Sequence, residues 1–115
     1  MAGRMNYQIH YTNQVKEDLK RALGYIKFTL KNPQAAQALL DEANQLIASL
    51  SQMPERYALV DDVLLAGWGL RFIRVKNYLA FYVVDEEAHT VHLIRFLYGR
   101  SDWRSALRSE KTDDS

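Results

Sequence analysis

Apolar residues recur along this chain with two different periods, and the change of period divides it. Val15, Leu19, Ala22, Leu23, Ile26 and Leu30 follow one another at three- and four-residue steps, the spacing that lays one apolar stripe along an α-helix. Ala36, Leu39, Leu40, Ala43, Leu46, Ile47 and Leu50 repeat it. Between the stripes stands Asn32-Pro33, with Asn32 suited to an N-cap and Pro33 to the first helical position. Two stripes joined by so short a link predict an antiparallel helical hairpin. Thr12 or Asn13 caps its first helix, and Met53-Pro54 stops its second.

The remaining regular stretches alternate with period two. Tyr7–Tyr11, Leu70–Val75, Tyr78–Val84 and Val91–Tyr98 read as strands. In the third of these, Leu79, Phe81 and Val83 share one face, and Tyr78, Ala80 and Tyr82 share the other. The first set is assigned to the face beneath the hairpin, which leaves Tyr78 and Tyr82 facing solvent or a partner. Asn77 turns the chain between strands, and residues 85–89 (Asp-Glu-Glu-Ala-His) form a second hairpin connection. Residues 55–67 show no clear period; the glycines of Leu64-Leu65-Ala66-Gly67-Trp68-Gly69 suggest a bend before a strand. Asp102 caps a short final helix that ends near Leu107. Residues 109–115 are expected to fray, and residues 1–5 read as a frayed start or an appended tag. The expected fold is α+β, in the order β-α-α-β-β-β plus a short C-terminal helix. It is one domain spanning 1–115, with the helical hairpin packed on one face of a small antiparallel sheet.

Composition narrows the chemistry. The chain has 115 residues and no cysteine, so it is long enough for a core of its own and has neither disulfides nor thiolate metal sites. No apolar run approaches a membrane span, and the start lacks the apolar stretch of a secretory signal; a cytoplasmic protein is expected. The net charge is only +1, so nucleic-acid binding is not announced globally. Its distribution says more: Arg71, Arg74, Lys76, Arg95, Arg100, Arg104 and Arg108 all fall in the strand-rich half. His10 lies far in sequence from His89 and His92, and no residue spacing suggests a metal site. No phosphate-binding glycine loop and no serine or cysteine nucleophile pattern is present. Arginine and tyrosine on strands remain as the candidate chemistry. Guanidinium groups grip phosphates, tyrosine rings stack on bases, and a tyrosine or lysine of lowered pKa can move a proton among cations. The plainer alternative for each arginine is solvation or pairing with an acid such as Asp61, Asp62 or Asp102.

Four stretches together resemble the toxins of the RelE/ParE superfamily of bacterial type II toxin–antitoxin modules. They are YTNQVKEDLKRALGYI (11–26), NPQAAQALLDEANQLIASLSQMP (32–54), VKNYLAFYVVDE (75–86) and VHLIRFLYGRSDW (91–103). The resemblance covers nearly the whole chain. It implies a growth inhibitor held silent by a cognate antitoxin in a hetero-oligomeric complex, with no cofactor, no metal and no membrane partner. In the RelE branch it implies a metal-independent, ribosome-dependent mRNA endoribonuclease; in the ParE branch, an inhibitor of a protein target such as DNA gyrase. Arg74 and Lys76 fall near the RelE branch's basic pair, and Arg100 near its late arginine. Tyr78 stands where that branch carries an arginine, and Trp103 and Leu107 occupy the region of its tail-helix tyrosine. The NYLAFY and LIRFLYGRSD segments look more like ParE, with Tyr98 where a histidine often precedes the glycine.

The expectation is therefore a ParE-like inhibitor, with a RelE-like ribonuclease as the alternative and an inactive antitoxin-binding module as a second alternative. If the chain is a ribonuclease, Arg74, Lys76, Tyr78, Tyr98 and Arg100 carry the catalysis. Arg71, Tyr82, Arg95 and Arg104 are the further candidates for contact with the target or RNA. Arg95 poses a question that alternation leaves open: facing inward it is an ion-pair partner, facing outward it joins Arg100.

Overall fold

The computed structural model describes residues 6–113. Strand β1 (Gln8–Tyr11) leads into helix α1 (Asn13–Gly24), which a π-helical turn at Tyr25–Thr29 prolongs. Helix α2 is Pro33–Ala48. Two single 3-10 turns come next, and then the short helix α3 (Val63–Gly67). Strands β2 (Arg71–Val75), β3 (Tyr78–Asp85) and β4 (Thr90–Tyr98) succeed it, and helix α4 (Trp103–Asp113) closes the order. The expected α+β order is present, with α3 added in the stretch that shows no period.

The predicted caps are in place. The Thr12 hydroxyl accepts the Val15 N–H, and the Asn32 side chain accepts the Ala35 N–H ahead of Pro33. Asp102 accepts from Ser105 at the start of α4. That helix runs past the expected end near Leu107 to Asp113. The expectation for residues 1–5 lies outside the described residues. Leu30, placed on the first stripe by its spacing, is 54 % exposed. The π turn explains this, because its wider winding (Leu30 N–H to Tyr25 C=O, 3.0 Å) rotates Leu30 out of phase with the stripe.

The sheet order is β1-β4-β3-β2. The β2–β3 and β3–β4 ladders are antiparallel, whereas β1 pairs parallel to β4, Gln8 opposite Thr90 and Tyr11 opposite Leu93. The expected all-antiparallel sheet is thus mixed, since the helical hairpin works as a crossover that returns the chain in the same direction.

Both sheet faces are covered, and the expected facing of β3 is reversed. Ala80 and Tyr82 pack with Val15, Ala22, Leu39, Ala43 and Ile47 of the hairpin, and Tyr78 lies against the same cluster. Leu79 and Phe81 instead join Val60, Leu65, Leu70 and Leu107 on the far side, with Val83 and Trp103 against them. Volume gives the reason: alanines at 22, 36 and 43 leave room under the helices for tyrosine rings. Tyr82 has no exposed surface, and its hydroxyl donates to the Pro54 carbonyl at 2.6 Å. Each fully buried aliphatic such as Ile47 contributes about 1.5–3 kcal/mol.

Candidate functional site

The Lys76-Asn77 turn and the loop after β4 meet at one end of the sheet. Lys76 takes a left-handed φ of 55° to make the tight turn. The Gly99 N–H donates to the Asn77 carbonyl at 2.8 Å. A Cβ at Gly99 would lie 3.2 Å from that carbonyl oxygen and 3.7 Å from the Arg74 guanidinium, so glycine permits the close approach and brings Arg74 beside the loop. Arg74, Lys76 and Arg100 are exposed there and have no carboxylate partner among the described residues.

Two tyrosines stand at the same end. Tyr78 is opposite Tyr98 in the ladder, with the rings edge to face at 5.5 Å, and it stacks on Phe96 at 5.1 Å. Tyr98 is 44 % exposed. The five residues singled out as a possible catalytic set thus lie at one end of the sheet, with Arg74 on the face of Leu79 and Leu97 and with Tyr78 and Tyr98 on the face beneath the hairpin. Burial, and then the neighbouring Tyr98 and Tyr25, raise the Tyr78 pKa above its ordinary value. The shift favours the neutral phenol over the phenolate. Beside the rim opens a cleft of about 600 Å³ between the end of α1 and the ends of β3 and β4.

All three histidines sit at the opposite end of β4. His10 and His92 face each other across the β1–β4 ladder with their Nδ1 atoms 2.9 Å apart, and His89 stacks on Tyr7 at 4.4 Å. The Tyr7 hydroxyl donates to Glu86 at 2.7 Å. Six strand residues, or roughly 20 Å at about 3.3 Å each, separate His92 from Tyr98. Sequence distance hid this cluster; the parallel β1–β4 pairing creates it.

The other candidates are structural in placement. Arg95 points to α1, where its Nε lies 2.7 Å and its Nη2 3.0 Å from the Asp18 carboxylate. The Phe96 backbone N–H donates to the same carboxylate at 2.9 Å, and Arg21 and Gln14 also reach it. Burial alone would push the Asp18 pKa up, but the hydrogen bonds from Arg95 and Phe96, the Arg95 charge and Gln14 outweigh it and hold the pKa below the usual carboxylate value. A bulge in the β3–β4 ladder between Phe81 and Tyr82 falls beside Arg95, and bulges re-aim side chains. Arg71 donates to the Glu55 and Tyr57 carbonyls and ties the preceding loop to β2. Arg104 stacks over Trp103 and reaches the Asp61 carbonyl and Asp62. Tyr82 is buried as described. Sequence reasoning misses Asp18, although an acid spaced three and four residues from Val15 and Ala22 lies on the apolar stripe and asks for a buried cation.

The comparisons with known proteins agree with this architecture. Residues 9–103 match the family model described as the ParE toxin of type II toxin–antitoxin system, parDE. A structure of the chromosomal ParDE toxin–antitoxin system from P. aeruginosa superposes with a TM-score of 0.66 at 14 % identity, covering 82 % of this chain and 97 % of that one. The toxin–antitoxin complex RelBE2 from Mycobacterium tuberculosis gives 0.57 at 22 % identity, covering 83 % and 93 %. No curated protein sequence matches the chain.

Proposed function

The chain belongs to the ParE toxin family of type II toxin–antitoxin systems, and we propose that it arrests growth by holding a protein target such as DNA gyrase, without cutting RNA. The observation that carries this is the segregation of its ionisable groups. The rim of Arg74, Lys76 and Arg100 offers charge for binding, and Tyr78 at the same end has its pKa raised, which disfavours the phenolate that a base would need. The histidines, the side-chain type most often used in general acid–base catalysis, lie at the far end of the strand. Exposed cations flanking an exposed tyrosine suit the anchor-and-rim make-up of a protein interface. The chain acts in the cytoplasm, where such a target is found, and a cognate antitoxin silences it in a hetero-oligomeric complex.

A ribonuclease is the second reading, favoured by the presence of all five candidate residues at one end of the sheet. Brief expression in bacteria separates the two. Lost gyrase supercoiling with intact messages supports the first, and codon-phased cuts in messenger RNA with normal supercoiling replace it with the second. Unchanged growth removes both.

A further inference from the structure

The proposed function makes no use of the histidine end of β4. His10 and His92 are brought side by side by the parallel β1–β4 pairing. Ile9, Tyr11, Val91 and Leu93 belong to the core beneath the hairpin, so alternation turns both histidines to the other face of the sheet. There their Nδ1 atoms stand 2.9 Å apart, with the ring planes at 88°. The second nitrogen of His92, Nε2, is 4.0 Å from the Asp85 carboxylate. Two facing imidazole nitrogens need something between them. A neutral ring carries one N–H and one lone pair, so one proton satisfies the pair, and so does a metal ion that takes both lone pairs. The surroundings suit the ion. The Asp85 charge favours the His92 tautomer protonated at Nε2, which leaves the Nδ1 lone pair toward His10. His10 is exposed, so its own proton can move to Nε2 and be held by water. Asp85 and Glu86, where β3 turns toward β4, add negative charge nearby.

We infer that His10 and His92 form a two-histidine site for a divalent transition metal of tetragonal preference, Cu²⁺ or Ni²⁺, with both Nδ1 atoms as adjacent ligands. The spacing selects the ion. Nitrogens roughly 2.0–2.1 Å from one metal lie about 2.9 Å apart at a right angle and about 3.4 Å apart at the tetrahedral angle. The observed separation is the right-angled one, which copper(II) and nickel(II) favour and zinc does not. Among the described residues no group of three or more His, Cys, Asp or Glu could hold a metal, so water fills the remaining positions and the affinity is that of two ligands. The ion joins the edge strand β1 to β4 and lies at the opposite end of the sheet from the rim. It therefore acts on the stability of the fold and is independent of which target the toxin arrests.

Calorimetric titration of the full chain with CuCl₂, NiCl₂ and MgCl₂ tests this, together with the electron paramagnetic resonance spectrum of the copper-loaded chain. One Cu²⁺ or Ni²⁺ binds per chain and raises its thermal midpoint, and Mg²⁺, which imidazole does not serve, does neither. The copper spectrum shows coupling to two equatorial nitrogens. His10→Gln and His92→Gln each weaken copper binding about tenfold or more, at least what loss of a supporting contact costs, and leave no more than one coupled nitrogen. His89→Gln, whose ring stacks on Tyr7, binds copper as the unsubstituted chain does. Undiminished copper binding in His10→Gln or His92→Gln overturns the inference, and so does its loss in His89→Gln. Mg²⁺ binding as tight as Ni²⁺ overturns it in favour of the acidic turn. The spectrum of the unsubstituted chain decides without any variant: fewer than two coupled nitrogens removes the site.

Discussion

Arg95 and Arg100 lie close together on β4 and its exit loop, yet they do opposite work. Arg95 is turned under α1 onto a fully buried carboxylate, and that carboxylate also holds the Phe96 backbone. Arg100 is exposed, with no carboxylate partner among the described residues. The difference teaches that a cation's role here depends on what the opposite element offers. α1 places an acid in its apolar stripe where Arg95 arrives, and among the described residues none pairs with Arg100. The first position should govern stability and the second should govern toxicity.

The largest effect that would break this contrast is on stability. Arg95→Ala leaves the buried Asp18 carboxylate with only the largely exposed Arg21 as a cation, and should cost about 3–5 kcal/mol in urea unfolding. A loss below about 1 kcal/mol would show that the pair is dispensable.

The same junction should appear in acid. Asp18 has its pKa lowered in the folded chain, so its contribution is complete above the unfolded value of about 3.9. It disappears as pH falls through the lower folded value, because protonation then favours the unfolded chain. Asp18→Asn should lower stability at neutral pH and flatten its fall below about pH 4; an unaltered acid limb would assign that fall to other groups.

Tyr82→Phe is next in size. It removes the hydroxyl that donates to the Pro54 carbonyl and should cost about 1 kcal/mol. Burial pushes the Tyr82 phenol up to about 12 from an unfolded value of 10.0. The folded chain therefore loses stability as pH rises across that interval, and the phenylalanine variant should lose less. Equal alkaline unfolding of both proteins would count against this.

The smallest effects on stability should come from the rim. Arg100→Ala should change the unfolding free energy by no more than about 0.5 kcal/mol while growth arrest on induction is lost. His10→Gln at the other end of the sheet should leave arrest intact. Full toxicity in the folded Arg100→Ala variant would remove this residue from the working surface, and lost toxicity in His10→Gln would move that surface to the histidines.

The helical part of the fold was legible because its signals are local. Thr12, Asn32 and Asp102 accept the hydrogen bonds that their positions imply, and Val15, Ala22, Leu39 and Ile47 are buried as their spacing requires. The facing of β3 was not legible. Tyr78, Ala80 and Tyr82 are as compatible with a core as Leu79, Phe81 and Val83, and a sheet covered on both sides gives alternation no polar face to report. The pairing of β1 depends on a crossover that no local pattern records. The rim could be anticipated, since Arg74, Lys76, Tyr78, Tyr98 and Arg100 flank two neighbouring turns. The Asp18–Arg95 contact could not, since it joins residues 77 positions apart.

The parallel pairing of β1 with β4 also has a consequence in time. Gln8 and Thr90, its ladder partner, are far apart in sequence, with both helices of the hairpin between them. During synthesis β1 has no strand to join until β4 has been made, and long-range pairings of this kind close slowly. The four-stranded sheet therefore cannot close before β4 is made.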